Sequence, residues 1–377
     1  MNNIPPVDLK RQYKLISQET NTAVLEVLNS GRYIGGTVVT DFEKQFAQYI
    51  GVSESVACNS GTDALYLAMR ALNIGEGDEV IIPTFTFIAT AEIITRVGAT
   101  PVFVDIEPET FNIDLNQLEA AITSQTKAIL PVHLFGQPVN MTKLMEIAQK
   151  HNLFVIEDCA QATGASWAEQ RVGSIGNIGC FSFFPTKNLG ACGDGGAITT
   201  NNLAIASSVR MLKEHGSSVR YRHDTIGINS RLDTIQAAIL QIKLRHLDKW
   251  NQQRSNIANC YQDLLQPITE IKLPQELAGG QSVWNQYTIW VRDKSAETEP
   301  YRDKVRRKLQ EMGIISMVYY PIPLHLQPVY QNLGYQVGQF SISEQASREV
   351  LSLPMFPDIT FEEQQQVAYS LKDCLAS

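Results

Sequence analysis

Charge is scarce in this chain: 19% of its 377 residues are Asp, Glu, Lys or Arg, with 39 acids against 31 bases. A formal net charge of −8 and the lack of any long Lys or Arg run argue against a surface that neutralises a phosphate backbone, so nucleic acid is not an expected partner. Cysteine is thin as well. The six thiols (Cys58, Cys159, Cys180, Cys192, Cys260 and Cys374) show no CxxC or Cys/His spacing of the kind zinc requires; they read as buried thiols of a reducing compartment, and no metal is expected. The opening MNNIPPVDLKRQYK has no apolar secretory core, and no stretch approaches the roughly 18 to 20 apolar residues that cross a bilayer. The expectation is a soluble, cytoplasmic protein without a membrane partner. Two nucleotide signatures are also missing. There is no GxGxxG after the first strand and no GxxxxGK[ST], which leaves a dinucleotide site and a P-loop without support.

What is present is apolar material: 44% of the residues are hydrophobic, ample for a large core, and the length suggests two domains. Over the first 200 residues or so, β-rich runs alternate with helical ones, the pattern of an α/β domain with a mostly parallel sheet. Seven strands are predicted, at Ser55–Asn59, Glu79–Pro83, Pro101–Asp105, Lys127–His133, Leu153–Asp158, Cys180–Phe184 and Gly196–Thr200. Helices are predicted at Asp63–Leu72, Thr86–Val97, Leu115–Ile122 and Met141–His151. From Arg231, apolar positions at Leu232, Ile235, Ile239, Ile242 and Trp250 follow helical spacing and can continue until Pro267. Beyond this connecting helix, a strand at Trp284–Val291, a helix at Tyr301–Met312, a strand at Ile315–Tyr319 and a closing helix at Phe361–Leu371 describe a smaller α+β domain. The expected division is a large domain of residues 1–250, carrying an N-terminal arm, and a small domain of residues 251–377.

Three constellations carry chemistry. At the first strand-to-helix junction stands Asn59-Ser60-Gly61-Thr62-Asp63, where free backbone N–H groups and the Thr62 hydroxyl suit a phosphate; an ordinary helix capped by Thr62 or Asp63 is the plainer alternative. The strand Val155-Ile156-Glu157-Asp158 runs into polar residues at its carboxyl end, where open α/β sheets bind ligands. Asp158 there can hold a pyridine nitrogen protonated, or simply form a turn. Finally, Lys187 follows an aromatic strand and precedes the glycine-rich Gly193-Asp194-Gly195-Gly196. A desolvated lysine in such a place can form a Schiff base with an aldehyde and carry protons, although a lone loop lysine is more often surface decoration.

Taken in order along nearly the whole chain, Asp8-Leu9-Lys10, Ser30-Gly31-Arg32-Tyr33-Ile34, Asn59-Ser60-Gly61-Thr62, Pro83-Thr84-Phe85-Thr86-Phe87, Glu157-Asp158-Cys159-Ala160-Gln161, Ser182-Phe183-Phe184-Pro185-Thr186-Lys187, Asn229-Ser230-Arg231-Leu232-Asp233 and Tyr320-Pro321-Ile322-Pro323-Leu324-His325 resemble the DegT/DnrJ/EryC1/StrS family of sugar-nucleotide aminotransferases. The resemblance implies a fold-type-I, aspartate aminotransferase-like α/β architecture with pyridoxal 5'-phosphate as cofactor, alternating with pyridoxamine 5'-phosphate. It implies that Lys187 carries the cofactor as a Schiff base and that Asp158 pairs with the pyridine nitrogen. Gln161 would meet the ring hydroxyl, and Ser60, Gly61, Thr62 and Ser182 the phosphate. Phe87 would stack on one face of the ring, with Ala160 closing the other, unless Phe87 is core.

In the family, the loop matching Gly227-Ile228-Asn229 reaches a neighbouring subunit's site, so the resemblance implies a homodimer in which Asn229 touches the partner's cofactor phosphate. The implied reaction is ping-pong amino transfer from an amino acid, usually L-glutamate, to a keto carbon of a nucleotide-linked sugar, with Lys187 as proton shuttle. For the nucleotide sugar, Arg32, Tyr33, Arg231, Tyr319, Tyr320 and His325 are the candidates, being cationic or planar. His325 can instead be a structural hydrogen-bonder and Arg231 an interface ion pair. By analogy the motifs sit nearer to members that aminate C3 of 3-keto sugars than to those acting on C4. Related dehydratases carry His at the position of Lys187, which disfavours that chemistry, and some family members are described as regulators.

Overall fold

A computed structural model describes residues 3–293 and 299–376 of the chain. Its centre is a seven-stranded sheet built, in chain order, from β1 (Glu54–Cys58), β2 (Glu79–Pro83), β3 (Thr100–Val104), β4 (Thr126–Ile129), β5 (Phe154–Asp158), β6 (Ile178–Ser182) and β7 (Gly196–Thr200). Their order across the sheet is β1-β7-β6-β5-β4-β2-β3. Neighbours from β6 to β3 are parallel, whereas β7 runs antiparallel to both β1 and β6. The strands are buried nearly throughout, as a sheet covered on both faces requires.

The long helix is Thr234–Leu265, 32 residues without a break, so the expected boundary at residue 250 falls inside it. Its first half (Ala237, Leu240, Leu244, Leu247) packs with Phe42, Phe46, Phe181 and Phe183 against the large sheet. Its second half (Ile257, Ala258, Tyr261, Leu265) belongs to a separate core. There it meets the three-stranded antiparallel sheet of Ile271–Lys272, Tyr287–Val291 and Val350–Leu353, the helices Tyr301–Glu311 and Phe361–Ala376, and Ile4 from the beginning of the chain. Asp105, just past β3, ties the two regions together by accepting N–H bonds from Ile342 and Ser343 at the start of the helix Ser341–Glu349 (3.0 and 2.9 Å). The carboxylate does for that helix what a local cap does elsewhere.

Several predicted elements change. Leu115–Ile122 is a series of turns with one 3-10 turn at Glu119–Ala121, because the Asp114 carboxylate takes the Asn116 N–H at 2.9 Å and starts a turn instead. The fourth strand stops at Ile129, two residues before Pro131, which has no N–H for the ladder. Trp284 has a left-handed backbone (φ 47°), so extended pairing begins only at Tyr287. Ile315–Tyr319 is not a strand: Met317 alone bridges to Ser352, and the chain then turns to place Tyr319 and Tyr320 at the sheet edge. The N-terminal arm consists of two unpredicted helices, Leu9–Ser30 and Thr37–Ile50, and Leu203–Leu212 is a third. No helix among the described residues is long and apolar enough to cross a membrane.

Candidate active site

Strands β1, β5 and β6 end on the same edge of the sheet, and a cavity of about 530 Å3 opens there. β1 leads into the helix Gly61–Ala71, capped by neither Thr62 nor Asp63 but by Ser60, whose hydroxyl accepts the Asp63 N–H (3.1 Å). The Ser60 carbonyl takes the Ala64 N–H, which leaves the Gly61 and Thr62 N–H groups, without intrahelical partners, directed to the cavity end. The helix can come this close to β6 only through Gly61: a Cβ there would sit 2.6 Å from the Ser182 Cβ. Gly196 plays the same part for β7, since its Cβ would lie 2.3 Å from the Ser60 carbonyl oxygen. The result is a ring of N–H and hydroxyl donors at a helix N-terminus, an anion site by construction.

Asp158 closes β5 and is buried. Burial pushes its carboxyl above the usual range; the Ala160 N–H on Oδ1 (3.1 Å), the Thr90 hydroxyl on Oδ2 (3.0 Å) and the charge of Lys187 pull the other way. Lys187 stands in the same wall, its backbone held by Lys187 N–H to the Phe184 carbonyl (2.9 Å). Next to it, Asn188 is locked to Asn251 and to the Val283 carbonyl, each at 2.8 Å. Desolvation lowers the Lys187 ammonium from 10.5 to about 8, with Asp158 opposing the change.

At pH 7 an amine at that value is about 10% neutral, against about 0.03% for an ordinary lysine. Labelling of Lys187 by an aldehyde, trapped with borohydride and read by mass spectrometry, is therefore expected to accelerate about tenfold per pH unit and to level off near pH 8. A rate still climbing tenfold per unit above pH 9 would contradict it. Since the folded value lies below the unfolded one, the folded state binds fewer protons between about 8 and 10.5. The cost of burying this amine is thus fully present below that window and is relieved as pH rises through it.

Across the cavity, Gln161 accepts the Phe135 N–H on Oε1 (2.6 Å), which fixes its amide so that Nε2 donates to the Tyr320 hydroxyl (3.1 Å). Phe87 is not core: it is 54% exposed and forms part of the wall, its ring 6.1 Å from that of Tyr320, whereas Phe85 is fully buried. Ala160, Ser182 and Tyr319 also line the cavity. So do Thr86, Thr90, Thr186, Asp194 and Gln286, which were not predicted. Thr86, Thr186 and Asp194 stand inside motifs noted in the sequence, whereas Thr90 and Gln286 carry no such signal.

Five predicted contacts are not brought to this cavity by their own chain. Arg32, Tyr33 and Asn229 are exposed and do not line it, and Arg231 pairs with Glu214 at 3.2 Å. Asn229 is nonetheless adjacent to Ser230, which donates to Asp63 (2.7 Å) and accepts the Asn59 N–H (3.2 Å), pinning this segment to the phosphate-type turn. His325 is a correction. It is buried, with Nδ1 on the Thr84 hydroxyl (2.8 Å) and Nε2 on Glu344 (3.2 Å), so both ring nitrogens are committed to the protein. Beneath β5, His133, Glu157 and Cys159 cluster within 4.8 Å. Glu157, however, accepts from His133 and from the N–H groups of Gly173, Ile175 and Gly176, and His133 Nδ1 takes the Val139 N–H, so this group braces the sheet with its ligand atoms already engaged.

Residues 14–372 match the model of the DegT/DnrJ/EryC1/StrS aminotransferase family. The chain is 45% identical over 372 residues to the UDP-N-acetyl-3-dehydro-alpha-D-glucosamine 3-aminotransferase of Acidithiobacillus ferrooxidans, covering 99% of this chain and 98% of that one. It is 47% identical over 373 residues to a protein of Geobacillus stearothermophilus named a pleiotropic regulatory protein, covering 98% of each. Its backbone is similar to the crystal structure of S. venezuelae DesV in complex with a ketimine intermediate, with a TM-score of 0.95 and 40% identity over 100% of both chains.

Proposed function

The chain belongs to the DegT/DnrJ/EryC1/StrS aminotransferase family, and we propose that it moves an amino group from an amino acid, best L-glutamate, to C3 of a nucleotide-linked 3-keto hexose. The observation that carries this is the meeting of Lys187 and Asp158 in one cavity whose far end is the donor ring of Gly61, Thr62 and Ser182. These residues fit pyridoxal phosphate. The helix N-terminus suits its phosphate, buried Asp158 has lone pairs left for a pyridinium N–H, Lys187 offers an amine of lowered basicity, and Phe87 and Ala160 present flat apolar walls. When bound, that cofactor supplies an electron sink and a carrier for the amino group.

The protein's own groups do the rest. Asp158 holds a proton on the ring nitrogen through a charge-assisted hydrogen bond. Lys187 Nζ would carry one proton in each half of the cycle, from the donor's α-carbon to the cofactor in the first and from the cofactor to the sugar carbon that receives nitrogen in the second. Tyr319, Tyr320 and the Gln161 amide line the side on which substrate would enter.

C3 is favoured over C4 by the 3-aminotransferase name of the relative at 45% identity, which matches the chain end to end. A regulatory role draws on the name of the Geobacillus relative, but an intact Lys187 and Asp158 in one cavity favour catalysis. Asn229 is exposed and does not line its own chain's cavity, which supports a homodimer in which this loop, with Arg231, completes the partner's site. To test the substrate, the pyridoxamine form is mixed with a panel of 3-keto and 4-keto nucleotide sugars and the return of the visible band is followed. The expected response is to 3-keto compounds; a response confined to 4-keto sugars overturns the C3 assignment.

A further inference from the structure

Behind Asp158 lies a buried hydroxyl pair that the mechanism above does not use. Thr90, in the first turn of the helix Ala89–Arg96, is 1% exposed and donates to Asp158 Oδ2 at 3.0 Å. Thr86, 3% exposed, has its hydroxyl 3.3 Å from that of Thr90. A hydroxyl has one proton, and an ionised carboxylate only accepts. With the Thr90 proton given to Asp158, the bond between the two threonines has one direction left: Thr86 donates and Thr90 accepts. The chain Thr86 to Thr90 to Asp158 is therefore polarised toward the carboxylate, and each link strengthens the next in a dry environment.

The other carboxylate oxygen is engaged by the Ala160 N–H at 3.1 Å. Two donors thus hold the carboxylate plane in place, and lone pairs on both oxygens remain for a cationic N–H in the cavity. Each donor also makes the carboxylate a weaker base. Without the Thr90 hydroxyl, a proton shared between Asp158 and a ring nitrogen moves toward Asp158, and the ring loses the positive charge on which it depends as an electron sink.

We propose that Thr90, oriented by Thr86, is a positioning residue that keeps Asp158 ionised and aimed, and so holds the ring nitrogen of bound pyridoxal phosphate in its protonated state. This deepens the proposed function and rests on it. The test compares the wild-type holoenzyme with Thr90→Val, which keeps the shape and removes the donor, Thr90→Ser, which keeps the donor, and Thr86→Val, which removes only the hydroxyl behind. The readout is nitrogen-15 NMR of pyridoxal phosphate labelled at its ring nitrogen, alongside kcat and KM.

In Thr90→Val the nitrogen resonance is expected to move toward the unprotonated position while kcat falls about 10- to 100-fold and KM changes little. Thr86→Val moves both in the same direction by less, and Thr90→Ser restores the wild-type resonance. A wild-type resonance in Thr90→Val overturns the proposal, as does a Thr90→Ser protein that behaves like Thr90→Val, since the methyl group would then matter rather than the hydroxyl. Should Thr90→Val fail to fold, an unshifted resonance in Thr86→Val is the overturning result. A wild-type chain that takes up no pyridoxal phosphate removes the functional reading itself, whereas a loaded wild type with unshifted variants removes only the role of Thr90.

Discussion

Replacing Lys187 by alanine is expected to lower transamination about 10^4-fold, the upper range for loss of a positioned acid–base group. No other amine can stand in. Among groups lining the cavity Lys187 is the single lysine of the described residues, and its value near 8 is what makes the neutral form available at neutral pH. Borohydride should fix the cofactor covalently to the wild-type peptide that contains Lys187 and to no peptide of the variant. A small primary amine added to Lys187→Ala is expected to return part of the rate, because it replaces the proton carrier and not the fold. Mixed and refolded with an Asn229→Ala chain, the variant should recover activity from about a quarter of the sites if each site draws on two chains. Full transamination by Lys187→Ala alone would end the mechanism, and mixed chains that never complement would end the shared site.

The second large effect is at Asp158. Asparagine preserves its size but carries no charge, and the drop expected is about 10^2- to 10^3-fold, as for loss of one preorganised electrostatic partner in a water-excluded site. Uptake of the cofactor should survive, since Gly61, Thr62, Ser182 and Lys187 are untouched. The same change removes the attraction that opposes desolvation at Lys187, so the amine is expected to become less basic than in the wild type. Stopped-flow measurement of each half-reaction, with the visible band reporting cofactor content, separates these outcomes. A variant that loses the cofactor altogether, or one that keeps the wild-type rate, would contradict the role given to Asp158.

Much of the site could be read in advance because its parts are local. A strand that ends in Asp158, a small turn at Ser60-Gly61-Thr62 and a lysine after an aromatic strand each leave a mark within a few residues. Where the sequence left two readings open, the cause is the same. His325, flanked by leucines, looks the same in sequence whether its ring faces a ligand or the half-buried Glu344; only the docking of the helix Ser341–Glu349 settles it. Likewise Phe85 and Phe87 belong to one apolar run, and one is core while the other walls the cavity. The arm helix Leu9–Ser30 carries Leu9, Leu15, Leu25 and Leu28 on its exposed side as well as Ile16 and Val27 on its buried one, so no single apolar stripe marks it in the sequence.

Residue order alone was enough to settle the chemical inventory and the seven strands of the large sheet, because periodicity, caps and turn residues act over a few positions of chain. It did not decide which groups meet. The antiparallel insertion of β7 between β1 and β6, and the hydrogen bond from Thr90 to an Asp158 68 residues away, follow from strand order. That order is set by burying the whole sheet at once, a sum over distant contacts that no short stretch of sequence contains.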